Sequence, residues 1–169
     1  MKKNLVLLGM MSVGKTTIGK IVAKKQDLEF IDTDTSIETR CSMRVYEIFK
    51  KKGEKFFRSE EEKVVLKSLK KKGCVIALGG GAFINKSIRN EVLKNAISVW
   101  LNIDLKTLNT RIKWNKKRPL LNKKNNFKII SELYSKRKNI YKLANHKIEC
   151  DGINKENIAK KIINFYEKN

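Results

Sequence analysis

The residues with the most definite chemistry are Gly9-Met10-Met11-Ser12-Val13-Gly14-Lys15-Thr16, a complete G-x-x-x-x-G-K-[ST] run. It follows the apolar stretch 4–8 and precedes Ile18, Ile21 and Val22 at helical spacing. Strand, loop and helix in that order bring backbone N–H groups and a helix N-terminus onto the phosphates of a nucleotide. Ser12, Val13, Gly14, Lys15, Thr16 and Thr17 are therefore the expected ATP-binding residues, with Lys15 as a point charge and Thr16 offering its hydroxyl to Mg²⁺. A second group, Asp32-Thr33-Asp34, ends another extended segment. Two carboxylates two residues apart can approach both a metal ion and an acceptor hydroxyl, although Asp34 could also serve as a helix N-cap. A third, Gly79-Gly80-Gly81, follows apolar 75–78 and lets backbone N–H groups donate directly to a ligand. No Asp ends that third strand, so the usual Walker-B carboxylate is missing and the 32/34 pair is its natural replacement.

Seven arginines stand beside 32 lysines: Arg40, Arg44, Arg58, Arg89, Arg111, Arg118 and Arg137. Where lysine is the default cation, an arginine points to a need for its planar five-donor fork, which suits carboxylate or phosphate.

The elements that must position these groups alternate along the chain. Strands are expected near 4–8, 28–31, 74–78, 97–103 and 147–150. Helices are expected near 15–25, 35–40, 45–51, 54–71, 86–94, 104–113, 127–143 and 154–167. Helices between short apolar strands indicate an α/β fold, a five-stranded parallel sheet in a three-layer α/β/α arrangement. Ligands in such sheets bind beyond the carboxyl ends of the strands, where all three groups fall. One stretch without periodicity, within 113–126, carries the only proline and reads as a lid. With 169 residues, a single domain 1–169 is expected.

The formal charge of +22 raises the question of nucleic acid. The lysines are scattered over polar helix faces instead of forming one stripe interleaved with aromatics, so a solvated basic surface without a specific nucleic-acid partner is expected. No stretch reaches the ~20 apolar residues of a membrane span. Three distant cysteines, Cys41, Cys74 and Cys150, suggest neither a disulfide framework nor a zinc site, and a reducing cytoplasm is the expected location. His146 has no partner placed to make it a base or ligand.

Taken in order, these residues resemble the shikimate kinase family of phosphate-loop kinases. The resemblance is carried by residues 9–19, Phe30-Ile31-Asp32-Thr33-Asp34, Gly53-Glu54 with Phe57-Arg58-Ser59-Glu60-Glu61, Ala-Leu-Gly-Gly-Gly-Ala at 77–82, Arg118-Pro119-Leu120-Leu121, and Arg137 with Tyr141 and Ala144. It implies transfer of the γ-phosphoryl of ATP, with Mg²⁺, to the 3-hydroxyl of shikimate, in the pathway to chorismate and the aromatic amino acids. It also implies a monomer with a substrate-binding helical region at 33–61. Arg58 and Arg137 would clamp the shikimate carboxylate. Asp34 would be the base or orienting group, and Gly80 and Gly81 would meet the ring through their N–H groups. Phe49 and Phe57 would cover its apolar surface. Lys15 and Arg118 would act catalytically with Asp34. Arg111 would lie near the adenine, and Thr16 and Asp32 would hold the metal and its water shell. A nucleotide or gluconate kinase would keep the fold but would not need arginines at both 58 and 137 with the triple-glycine exit. Ser12 departs from a glycine common in the family, as do Asn139 and Ile140 from proline and leucine.

Overall fold

The structure is a computed structural model that describes residues 2–114 and 126–169, and their side chains except at 113, 114 and 126. Arg118 and the body of the expected lid, 115–125, lie outside the described residues.

Five strands form one parallel sheet: β1 (Asn4–Leu8), β2 (Glu29–Asp32), β3 (Cys74–Ala77), β4 (Ala96–Asn102) and β5 (His146–Glu149), in the spatial order β2-β3-β1-β4-β5. All residues of β1, β3 and β4 are buried, as strands covered by helices on both faces must be. The helices are α1 (Lys15–Gln26), α2 (Thr33–Cys41), α3 (Val45–Leu69), α4 (Lys86–Asn95), α5 (Leu105–Trp114), α6 (Asn126–Tyr141) and α7 (Lys155–Tyr166). This is the three-layer α/β/α arrangement that the sequence pattern predicts.

The chain leaves central β1 for the edge at β2, returns to β3, and then crosses to β4 on the other side. That reversal opens a crevice beyond the carboxyl ends of the strands. The register aligns the strand ends there, with Leu7 opposite Ala77 and Ala77 opposite Asp32. The three chemical groups of the sequence therefore leave the sheet side by side.

Two differences from the sequence reading have physical causes. Helix α2 begins at Thr33 instead of near 35, because the Asp32 carboxylate accepts a hydrogen bond from the Thr35 N–H at 3.2 Å and caps it. The helices expected at 45–51 and 54–71 run on as α3, bent at Gly53, where φ 83° and ψ 169° are open only to glycine. The bend lets Ile48, Phe57 and Val64 fill a small core with Ile37 of α2, while Val65 and Leu69 join the main core under the sheet.

Candidate active site

The phosphate loop leaves β1 and ends at Gly14, whose φ of 109° turns the chain into α1. No side chain caps that helix and its first turn carries no acidic residue, so the N-terminus suits an anion. Lys15 is buried, its Nζ donating at 2.9 Å to the carbonyls of Gly9 and Met10, which hold the ammonium over the loop. Thr16 donates its hydroxyl to Asp32 Oδ2 at 2.6 Å. Two oxygen groups that close, at the foot of the loop, fit a hard cation such as Mg²⁺, which keeps several waters and needs few protein ligands. Among the described residues no group of three or more His, Cys, Asp or Glu side chains could hold a metal by itself. Arg111 donates to the Val13 carbonyl at 3.2 Å, and so borders the loop from α5. Ser12, Thr17, Asp34 and Gly80 share with these residues an open cleft of about 310 Å³.

The acceptor end is built around the three glycines. A Cβ on Gly79 would lie 2.6 Å from Asp34 Oδ1 and 2.9 Å from Glu61 Oε1, and one on Gly81 would lie 2.7 Å from Arg58 Nη1. Arg137 donates to the Gly80 carbonyl at 3.2 Å, and Tyr141 donates its hydroxyl to the same oxygen. Asp34, Arg58 and Arg137 thus converge on one turn. None of these glycines has a positive φ, so what excludes a side chain is space alone.

Two sequence expectations are corrected here. The helix cap is Asp32, not Asp34, which stands in the first turn of α2. The Gly79 N–H does not face a ligand; it donates at 2.9 Å to the Thr33 hydroxyl, which in turn donates to the Ala77 carbonyl at 3.2 Å.

Sequence reasoning assigned no role to Thr33, Glu61 or Tyr141. Thr33 is fully buried and ties the exit of β2 to that of β3. Glu61, 1% exposed, accepts from Arg58 Nη1 at 2.7 Å. Burial pushes its carboxyl above the ordinary range against the pull of the Arg58 guanidinium, and the nearby Asp34 charge adds to the rise. Tyr141 is buried beside Trp100, ring centroids 5.8 Å apart, and burial raises its phenol. Glu61 and Tyr141 fall in the quoted family motifs, which is the signal that could have singled them out. Phe57 is buried in the small core with Phe49 tilted over it at 4.6 Å. The Arg58 guanidinium lies over the Phe57 ring, 5.3 Å from its centroid. His146 stacks on Phe165 at 4.2 Å.

The family model described as shikimate kinase matches residues 11–167. A shikimate kinase of Bartonella henselae is 42% identical over 159 residues, 94% of this chain and 76% of that one. Among solved structures, the shikimate kinase of Acinetobacter baumannii in complex with shikimate superposes with a TM-score of 0.94 at 31% identity, covering 99% of this chain and 94% of that one. A gluconokinase of Sinorhizobium meliloti gives a TM-score of 0.63 at 11% identity, over 98% of this chain and 92% of that one, a likeness of fold alone.

Proposed function

Because the chain belongs to the shikimate kinase family, we infer that it is an enzyme transferring the γ-phosphoryl of ATP to the 3-hydroxyl of shikimate, with shikimate 3-phosphate and ADP as products. The observation that carries this reading is a cleft lined by the phosphate loop and by Asp34 and Gly80, with a cluster of cationic side chains against the glycine turn at its border. Lys15, Thr16 and Asp32 lie at the loop; Asp34, Arg58 and Arg137 meet around Gly79 to Gly81.

At the phosphate end, the loop amides from Ser12 to Thr17 and the Lys15 ammonium hold the nucleotide, with Arg111 beside it. Thr16 and Asp32 would hold Mg²⁺, which when bound neutralises phosphate charge. At the acceptor end, Arg58 and Arg137 take the shikimate carboxylate through paired N–H donors. Glu61 fixes one edge of the Arg58 guanidinium from inside the protein. The other edge pairs at 3.1 Å with Glu54, whose side chain is 67% exposed, a contact weak enough for a substrate carboxylate to displace. Asp34 orients the 3-hydroxyl and takes its proton as the new O–P bond forms. Gly80 and Gly81 border the ring, and Arg118, from the lid, stabilises charge on the group in transfer.

The same reading makes the protein a cytoplasmic monomer of one domain, with no specific nucleic-acid partner. Its three cysteines are free, and no helix among the described residues is long and apolar enough to cross a membrane.

A phosphotransferase assay with ATP and Mg²⁺ across shikimate, gluconate, AMP and CMP tests the assignment. Turnover of shikimate alone is expected. Preferential turnover of any other acceptor overturns it.

A further inference from the structure

Ser12 carries two costs at once. Its backbone sits at φ 61°, in the left-handed region that disfavours a side chain. Its hydroxyl oxygen is shielded from solvent and has no hydrogen-bond partner among the described residues. A buried hydroxyl left unsatisfied lowers the stability of the fold that contains it. Both features fall on the wall of the cleft that Gly14, Lys15 and Thr16 also line. A group that enters the cleft with the ligand can satisfy this hydroxyl.

We propose that the Ser12 hydroxyl donates a hydrogen bond to a phosphate oxygen of the bound nucleotide, as a phosphate ligand additional to the loop amides and Lys15. The proposal rests on the nucleotide-binding reading of the cleft. An O–H donor to an anionic oxygen makes a short, strong bond. This donor has no hydrogen bond among the described residues to give up when the nucleotide binds. The left-handed backbone is likewise present before the nucleotide arrives. Its strain lowers stability and largely cancels from affinity, whereas the hydroxyl contributes to affinity.

That separation defines the test. Ser12→Ala keeps the Cβ and the strained backbone and deletes only the hydroxyl; Ser12→Gly removes both. The measurements are the Kd of ADP with Mg²⁺, the Kd of shikimate, and the Tm of the ligand-free protein. Ser12→Ala is expected to weaken ADP about ten- to a hundredfold, the range for a hydrogen bond to a charged partner. Its shikimate Kd should stay within about twofold and its Tm should be equal to or above wild type. Ser12→Gly should weaken ADP similarly and melt higher still, because the strain is relieved. ADP binding to Ser12→Ala as tight as wild type overturns the proposal. So does a loss of ADP affinity together with a lowered Tm and weaker shikimate, which would make Ser12 a structural residue. If the wild-type protein itself does not bind ADP, the nucleotide reading fails first and the proposal with it.

Discussion

Asp32 and Asp34 are two positions apart, yet their surroundings assign them different work. Asp32 has one oxygen on Thr16 and the other on the Thr35 amide, so it is held as a fixed acceptor at the foot of the phosphate loop. Asp34 stands against Gly79 beside Glu61. For Asp34→Asn, which keeps the shape and removes charge and basicity, kcat should fall at least ~10²-fold while ADP binding survives. Near-normal turnover in a steady-state assay would remove Asp34 from the chemistry. If Arg58 binds the shikimate carboxylate as proposed, the fork itself is needed, since one guanidinium must reach Glu61 inward and the carboxylate outward. Arg58→Lys should therefore cost about 1–3 kcal/mol in kcat/KM for shikimate with little change for ATP. An equal loss for both substrates would indicate damage to the fold instead of to the clamp.

At the scale of elements, α3 is the part whose shape matters most. Its first half covers the small core through Ile48, and its second half presents Arg58 to Gly81 and Glu61 to Arg58. The bend between them depends on Gly53, around which a Cβ would meet nothing within 4 Å. Gly53→Ala therefore isolates backbone strain from crowding. It should destabilise the protein by about 1–3 kcal/mol, read from the denaturant midpoint. It should also raise the KM for shikimate more than that for ATP, because straightening the helix moves Arg58 away from the glycine turn. A midpoint equal to wild type would mean that the bend is not held by this conformation.

For the whole molecule, the formal charge of +22 attracts anionic molecules in general without specifying any of them. The cysteines report on the integrity of the core. Cys74 and Cys150 are buried and Cys41 is partly exposed. Burial pushes the Cys150 thiol up to about 11, so the thiol and not the thiolate is the form at neutral pH. With the folded value above the unfolded one, its contribution to stability is full below the ordinary thiol range and is lost as pH rises through about 11. In the native protein at pH 8, iodoacetamide should modify Cys41 well before Cys150, as peptide mass spectrometry would show. Equal rates would contradict the burial of Cys150 at the exit of β5.

The sequence alone determined the class of fold and the phosphate-loop motif, and it singled out Arg58 and Arg137 among the cations. Each of these is written locally, in the apolar period of a strand or helix, in eight consecutive residues, or in short ordered motifs. The tertiary structure decided what those residues touch. Tyr141 reaches the Gly80 carbonyl across 61 positions, and Thr33 meets the Gly79 amide across 46. Such contacts exist because parallel crossovers return distant strand ends to one edge of the sheet, a pairing that no local pattern encodes. For the same reason the glycine triplet reads in sequence as a row of donors. In the structure its first amide is engaged by Thr33, and the absence of side chains at Gly79 and Gly81 makes room for Asp34, Glu61 and Arg58.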